Sequence, residues 1–509
     1  MIGPDYSTPE APTSPAWIDS RAEGPIRDVA LPTDAWWQVF GDPVLTTLVE
    51  TAYRQNPGLQ AAGARVLEAL ARRGIAVGTL FPQQQDAFGA YLNSRLSKNR
   101  ATQTEAGIET GFDDWQVGFD AFWELDVWGR LRRNIEAADA EVLASVADYD
   151  DVLVSLVAEV AINYITLRAF EERLAVAHAN VTIQERSYDL ALARYEGGAV
   201  TALDAEQAKS LLADTSSQIP GLEAGLRQTR NTICILLGVP PEDLAELLPP
   251  AGTIPTVPAE LAVGIPAELL RRRPDVRRSE RELAAQSARI GIAKADLLPQ
   301  FALVGSISLA AEDFAELMEG RSVEGFGGPT FRWAILNYGR ISSNVRVQDA
   351  RYQALVGDYE NTVLRAQAEV ENSIASFLGA RSQVGLLTDS VGAATRAVEL
   401  ADLQYREGAT DYTRVLDSQQ FLVTEEDRLV TTRANVALSV ASLYKALGGG
   451  WEVREGESFV SPEVAEQMRD RTRWGGTVEA SGQERQVEDA SSGTEKSRWW
   501  RWRAWRPQW

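Results

Sequence analysis

The chain has 509 residues, 50 lysines and arginines against 72 aspartates and glutamates, a formal charge of −22, one cysteine and one histidine. That acidic balance, with no basic stripe through the body of the chain, argues against a nucleic-acid partner. A lone Cys234 and a lone His178 can build neither a disulfide framework nor a transition-metal cage. No stretch approaches the ~18–20 continuous apolar residues of a spanning helix, so any entry into a bilayer is predicted to be made by strands.

In chain order, Met1-Ile2-Gly3-Pro4-Asp5-Tyr6 carries no signal-peptide pattern and reads as a mature start. Residues 1–41, with prolines at 4, 9, 12, 15, 25 and 32 and aromatic residues at Trp17, Trp36, Trp37 and Phe40, read as an extended arm with apolar anchors. Asp42-Pro43 supplies a cap and a first-turn proline for a helix that stops near Asn56-Pro57. A second helix is predicted to run to about Leu80.

At Phe81-Pro82 the apolar period changes from 3.6 to 2. Trp115, Val117, Phe119, Ala121, Trp123 and Leu125 alternate with Gln116, Gly118, Asp120, Phe122, Glu124 and Asp126, and Phe88, Ala90 and Leu92 give a weaker version in a first strand. A polar, glycine-containing loop is predicted around Ser97 to Asp114. From about Arg130 to Arg194 there is neither proline nor glycine, and apolar residues recur at three and four. At 1.5 Å per residue such a helix would be a rod of roughly 100 Å. It breaks at Gly197-Gly198, and Thr201-Ala202-Leu203-Asp204 opens the next helix as a capping-box-like start.

After a proline-rich linker the pattern restarts. Asn56-Pro57 and Phe81-Pro82 match Arg273-Pro274 and Leu298-Pro299 at an offset of 217. Gly129-Arg130, Tyr195, Gly198 and Leu237-Gly238 match Gly339-Arg340, Tyr405, Gly408 and Leu447-Gly448 at an offset of 210. The chain is thus a tandem duplication, with the seven-residue difference inside the hairpin. Its predicted organisation is an arm at 1–41, a first repeat at 42–238 with a hairpin at about 84–127, and a proline-rich linker at 239–265. A second repeat at 266–450, with a hairpin at about 300–337, and a polar, disordered tail at 451–509 complete it. In the second hairpin Phe301, Leu303, Gly305, Ile307 and Leu309 face one way, and Phe331, Trp333 and Ile335 continue that face. The tail ends in alternating tryptophan and arginine over 498–506, a composition suited to an anionic lipid surface.

Four strands cannot close a barrel around a lumen, and open sheet edges are forbidden in hydrocarbon. The strands are therefore expected to be completed by further copies of the chain in a closed ring. Trp115, Trp123 and Trp333 are the expected membrane girdle, and Pro82, Pro299, Gly129 and Gly339 the helix–strand transitions.

These residues carry a resemblance. The chain resembles the outer-membrane factor family, the TolC/OprM-like trimeric efflux ducts, and within it the lipoprotein, NodT-like branch. The resemblance covers about residues 1–450. It rests on Gly3-Pro4-Asp5-Tyr6, on Phe81-Pro82-Gln83 and Leu298-Pro299-Gln300, and on the two Gly-Arg pairs. Arg194-Tyr195-Glu196-Gly197-Gly198 with Leu203-Asp204, and Tyr405-Arg406-Glu407-Gly408 with Val415-Leu416-Asp417-Ser418-Gln419, complete it.

The resemblance implies an α+β membrane protein. Three copies of four strands make a 12-stranded outer-membrane β-barrel, continuous with a long periplasmic α-helical barrel. It implies a homotrimer in outer-membrane lipid, docked on a periplasmic adaptor and an RND-type inner-membrane pump, and a lipid anchor on a cysteine preceding Met1. The turns at Gly198 and Gly408 would form the periplasmic tip, where Asp417 contributes a carboxylate to a lumenal ring and Tyr405 and Asp204 form a clasp. Arg414 and Thr410 depart from the family pattern of a second acid and a clasping arginine, implying a partly neutralised ring and a weaker clasp. Arg194, Tyr195 and Gln404 flank the tip an adaptor would meet.

No Ser-His-Asp set, phosphate loop or metal spacing stands out, and a single histidine leaves few general bases, so no enzyme activity and no cofactor are expected. The resemblance implies a passive exit duct for small molecules. The alternative within the same architecture is an outer-membrane duct for type I protein secretion.

Overall fold

The computed structural model describes residues 1–19, 26–27, 35–97, 111–249, 252–258, 261–263, 266–454 and 456–474. Pro25, Pro32 and the Trp/Arg-rich stretch at 498–506 lie outside these residues. The elements are β1 (Ile26–Arg27), α1 (Pro43–Gln55), α2 (Pro57–Gly78), β2 (Gln84–Arg95), β3 (Gly111–Leu125), α3 (Arg130–Glu196) and α4 (Ala202–Leu237). They continue with β4 (Leu261–Ala262), α5 (Pro266–Arg272), α6 (Pro274–Ala295), β5 (Gln300–Ala311), β6 (Val323–Arg332), α7 (Arg340–Arg406), α8 (Tyr412–Ala446) and α9 (Pro462–Arg471). Two compact units result. One comprises Met1–Glu10, Leu67–Ser145 and Arg278–Tyr359, and the other Ala11–Val66, Val146–Arg277 and the chain from Glu360 onward.

The first unit holds a four-stranded antiparallel sheet in the order β2-β3-β5-β6. Directly paired residues share a face. The register therefore lines up Tyr91, Trp115 and Ala311, then Val117 with Leu309 and Val323, Phe119 with Ile307, and Leu125 with Phe301 and Phe331. That is the apolar face expected from the alternation.

Three details differ from the sequence reading. Phe88, Ala90 and Leu92 pair with Gly118, Gln116 and Asp114, and so lie on the opposite face; the Phe88 ring lies over Gly118, where no side chain competes. Strand β3 begins at Gly111, so Gly111 to Asp114 belong to the ladder rather than to a loop. Strand β6 ends at Arg332, which leaves Trp333 and Ile335 beyond the sheet.

Residues before Glu10 strap this unit. The Ile2 N–H donates to the Trp128 carbonyl at 3.2 Å. Buried Arg133 donates to the Ile2 carbonyl and pairs with Asp5 and Glu136, each at 2.7 Å. Gly3, at φ +105°, approaches so closely that a Cβ there would lie 2.4 Å from the Gly291 Cα.

In the second unit Asp42 caps α1 as expected, its Oδ1 accepting from the Val44 N–H at 2.8 Å. The Tyr164 hydroxyl donates to the same carboxylate at 2.6 Å, which ties the cap to α3. Trp36 stacks on Tyr444, ring centroids 5.1 Å apart. In the linker, Leu244, Leu248, Ile254 and Val263 are buried, and β1 pairs in parallel with β4.

The predicted disordered tail is corrected over its first part. Ser461 caps α9, and Phe459, Val460 and Ala465 are buried. A short polar helix with a few apolar anchors carries too weak a periodic signal to be read from sequence. Just before it, buried Arg454 pairs with Asp150 of α3, which is 0 % exposed and also meets Arg277 at 3.4 Å.

One 18-residue window of α3 reaches a mean hydropathy of 1.6, enough by length and composition for a span, although polar residues interrupt its apolar run. It is 61 % buried, which fits a core helix.

Candidate functional site

Helices α3 and α7, each 67 residues long, stop at matching turns. Gly198 and Gly408 adopt φ of +71° and +73°, the left-handed conformation that favours glycine after a helix. The same two bonds close each turn. Gly198 N–H donates to Tyr195 O at 2.9 Å and Ala199 N–H to Arg194 O at 2.8 Å. Gly408 N–H donates to Tyr405 O at 3.0 Å and Ala409 N–H to Gln404 O at 2.8 Å. The sequence repeat is thus a repeat of backbone geometry at these turns.

The side chains around the turns are not equivalent. Tyr405 is 1 % exposed, packed with Ala191, Ala208, Ala401, Tyr412 and Val415. Its hydroxyl donates to Asp204 Oδ2 at 3.3 Å. The Arg194 guanidinium sits 4.6 Å from its ring centroid and also donates to its carbonyl oxygen. Burial first, then the Asp204 carboxylate, push the Tyr405 phenol up to about 12, against the opposing pull of Arg194.

Tyr412 meets Tyr405 edge to face at 5.3 Å, and its hydroxyl lies 3.1 Å from Ser187 Oγ. Burial raises the Tyr412 phenol too. This second tyrosine was missed from sequence. The signal was present: the first helical residue of α8 is a tyrosine where the first of α4 is Ala202.

Of the residues expected to act together, Tyr405 and Asp204 meet, and Arg194 joins them. Asp417 and Arg414 are exposed and Thr410 half-buried; among the described residues none of the three side chains has a hydrogen bond or ion pair. The capping box expected at Thr201 is not formed. Thr201 Oγ1 turns to Asp204 Oδ1 at 3.4 Å and caps no backbone N–H, because Asp204 is held toward Tyr405.

Further along α8, three successive acids are taken by three side chains on α7 and α3. Ser390 donates to Glu425 at 3.0 Å, Asn180 to Glu426 at 2.6 Å, and Arg173 to Asp427 at 2.6 Å. They brace α8 behind the turns.

At the other end of the repeat unit, the helix–strand transitions are built from backbone carbonyls and indoles. The Trp123 indole donates to Leu80 O at 3.1 Å, that of Trp333 to Leu297 O at 3.0 Å, and that of Trp128 to Pro299 O at 2.7 Å. Gly129 and Gly339 take φ of +85° and +80°, and Asp126 accepts from the Leu131 and Arg132 N–H groups at the start of α3. Trp115, at the far end of β3, packs between Tyr91 (4.4 Å) and Phe314 (4.9 Å).

Compared with known proteins, residues 48–239 and 265–449 match a family model described as outer membrane efflux protein. The pyoverdine export outer membrane protein OpmQ of Pseudomonas putida is 32 % identical over 458 residues, 88 % of this chain and 95 % of that protein. Nodulation protein T of Rhizobium leguminosarum bv. trifolii is 29 % identical over 451 residues, 89 % of this chain and 94 % of that protein. Among solved structures, the outer-membrane channel OprN superposes with a TM-score of 0.82 at 32 % identity, covering 89 % of this chain and 99 % of that one.

Proposed function

The chain belongs to the outer membrane efflux protein family, and from that premise we propose that it is the passive exit duct of a tripartite pump, releasing small molecules and closing at the paired helical turns. It is an outer-membrane efflux channel that extends into the periplasm. Its fold is that of the family's trimeric channels, in which three four-stranded sheets close one 12-stranded barrel continuous with a helical barrel.

The observation that carries this reading is the pair of sheet edges. The outer edges of β2 and β6 have no strand partner among the described residues. Unpaired backbone groups cost several kcal/mol each in hydrocarbon, so β6 of one copy pairs with β2 of the next. Trp115 and Trp123 are eight residues apart on β3, roughly 27 Å along the strand, or roughly 20 Å along the axis at a tilt of ~40°, close to the ~25 Å apolar band of such barrels. That spacing supports a girdle made of Trp115 at one interface and Trp123 and Trp333 at the other.

Closure is assigned to the turns at Gly198 and Gly408. Tyr405, Asp204 and Arg194 clasp neighbouring helices, while exposed Asp417 gives the lumen a single acidic ring, partly neutralised by Arg414 three residues before it, and Thr410 leaves the clasp without a second arginine. A relative named for pyoverdine export supports small cargo over the proteins of type I systems. The driving energy comes from an inner-membrane pump of the RND type, reached through a periplasmic adaptor that meets the tip near Arg194, Tyr195 and Gln404.

The test is accumulation of a panel of dyes and antibiotics in a deletion strain, with each neighbouring adaptor and pump present or removed. Accumulation should rise on deletion only while a cognate pump is present. Unchanged accumulation in every background, with loss of a protein secreted by an ABC exporter, would overturn the small-molecule reading.

A further inference from the structure

We infer that the seam between copies at the helical tip is made by Arg414 and Gln404 of one chain on Tyr195 of the next, in the places that Asp204 and Arg194 hold on Tyr405 within a chain. The inference rests on the trimeric reading above and specifies its contacts.

The argument is one of quasi-equivalence. The 210-residue offset that relates Tyr195 to Tyr405 also relates Arg194 to Gln404 and Asp204 to Arg414. The turns that present these side chains have the same glycine conformation and the same closing bonds. In a closed ring of alternating halves, each half meets one neighbour inside its chain and one in the next copy. Inside the chain, the first half offers Arg194 and Asp204 and the second offers Tyr405. Advancing one place around the ring, the second half offers Gln404 and Arg414, and the first half of the next copy offers Tyr195.

Occupancy supports that placement. Tyr405 is 1 % exposed, whereas its repeat mate Tyr195 is 44 % exposed. The side chains of Tyr195, Gln404 and Arg414 make no hydrogen bond, ion pair or ring contact among the described residues. All the members of the second contact are therefore present, uncommitted and at the matching turn.

The chemistry also fits. A guanidinium can stack on a phenol ring and donate to its oxygen. The Gln404 amide can donate to the Tyr195 carbonyl, as Arg194 does to that of Tyr405. The two kinds of seam would then differ in charge: a carboxylate and a guanidinium on the tyrosine within a chain, and an amide and a guanidinium between chains. Arg414, which departs from the family's acid at this position, would have its role at the seam.

The test uses the full-length protein carrying Cys234→Ser, with Tyr195→Cys and Arg414→Cys together, purified and treated with a short bis-maleimide. A stack of two long side chains leaves the β-carbons too far apart for a disulfide. Loss of the monomer band on denaturing gels, with dimer and trimer in its place, is expected, while either single variant stays monomeric. Tyr405→Cys with Asp204→Cys should instead cross-link within one chain and remain a monomer. An unchanged monomer band in protein whose native mass is three chains would overturn the assignment. A native mass other than three chains would remove the trimeric premise, and the proposal with it. Arg414→Ala, which needs no cysteine chemistry, should lower the temperature at which the native trimer dissociates; an unchanged temperature would also overturn the assignment.

Discussion

The indole of Trp123 donates to the Leu80 carbonyl at 3.1 Å, closing the turn at Pro82 onto the end of β3, and its repeat mate Trp333 does the same to Leu297 at 3.0 Å. A net hydrogen bond of this kind is worth about 1 kcal/mol. Trp123→Phe and Trp333→Phe should each lower the thermal dissociation temperature of the folded protein, by similar amounts. Trp115→Phe, which keeps its ring contacts with Tyr91 and Phe314 and loses no indole hydrogen bond among the described residues, should lower it less. Heat-modifiability on gels measures all three.

The clasp at the turns can be opened chemically. Tyr405→Phe with Asp204→Asn removes the hydroxyl and the charge that receives it while keeping both shapes. At 3.3 Å the bond is long, and a net worth of about 1 kcal/mol is appropriate. Single-channel conductance in planar bilayers should rise several-fold over the parent. An unchanged closed-state conductance would sink the clasp assignment.

Alkali should act on the same contact. The Tyr405 phenol is pushed from its ordinary value of 10.0 up to about 12, first by burial and then by Asp204. The folded state therefore holds that proton more tightly than the unfolded chain. The associated stability is fully present below pH 10 and is lost as pH rises toward 12. Conductance of the parent should climb over that window, and Tyr405→Phe should flatten the climb.

Two strand glycines should behave oppositely. A Cβ at Gly118 would lie 2.6 Å from the Ser308 Cβ and 2.8 Å from the Phe88 ring, while one at Gly305 would come no closer than 3.6 Å to any atom. Gly118→Ala should cost about 1–3 kcal/mol through overpacking. Gly305→Ala should be neutral or stabilising by up to about 1 kcal/mol. The yield of heat-resistant folded protein reads the difference.

The proline and glycine punctuation made much of this fold legible. Pro82, Gly129, Gly198 and their repeat mates each mark a change of backbone conformation, and the constant offsets between them expose the duplication. Face assignment in β2 was not legible. Apolar residues occupy both parities of that strand, so only the pairing of Phe88 with Gly118 decides which face it takes. At the turns, Tyr405 and Asp204 could be paired from the family pattern, but the contribution of Arg194 through its stack, and of Tyr412 through Ser187, depends on which way long side chains fold back. Sequence spacing carries no record of that direction. The helix at Pro462–Arg471 was missed because its polar surface outweighs the few side chains that anchor it.

The Asp150–Arg454 pair has a temporal consequence. Its partners stand 304 residues apart in the chain, and a wholly buried carboxylate without its partner is strongly unfavourable, by about 3–5 kcal/mol. During synthesis Asp150 can meet Arg277 once residue 277 has been made, but its buried pair with Arg454 must wait until residue 454 arrives. Local helices can form early, but this unit cannot reach its final packing while the chain is still emerging. Consolidation of this unit is thus a late step, taken when nearly all of the chain is present.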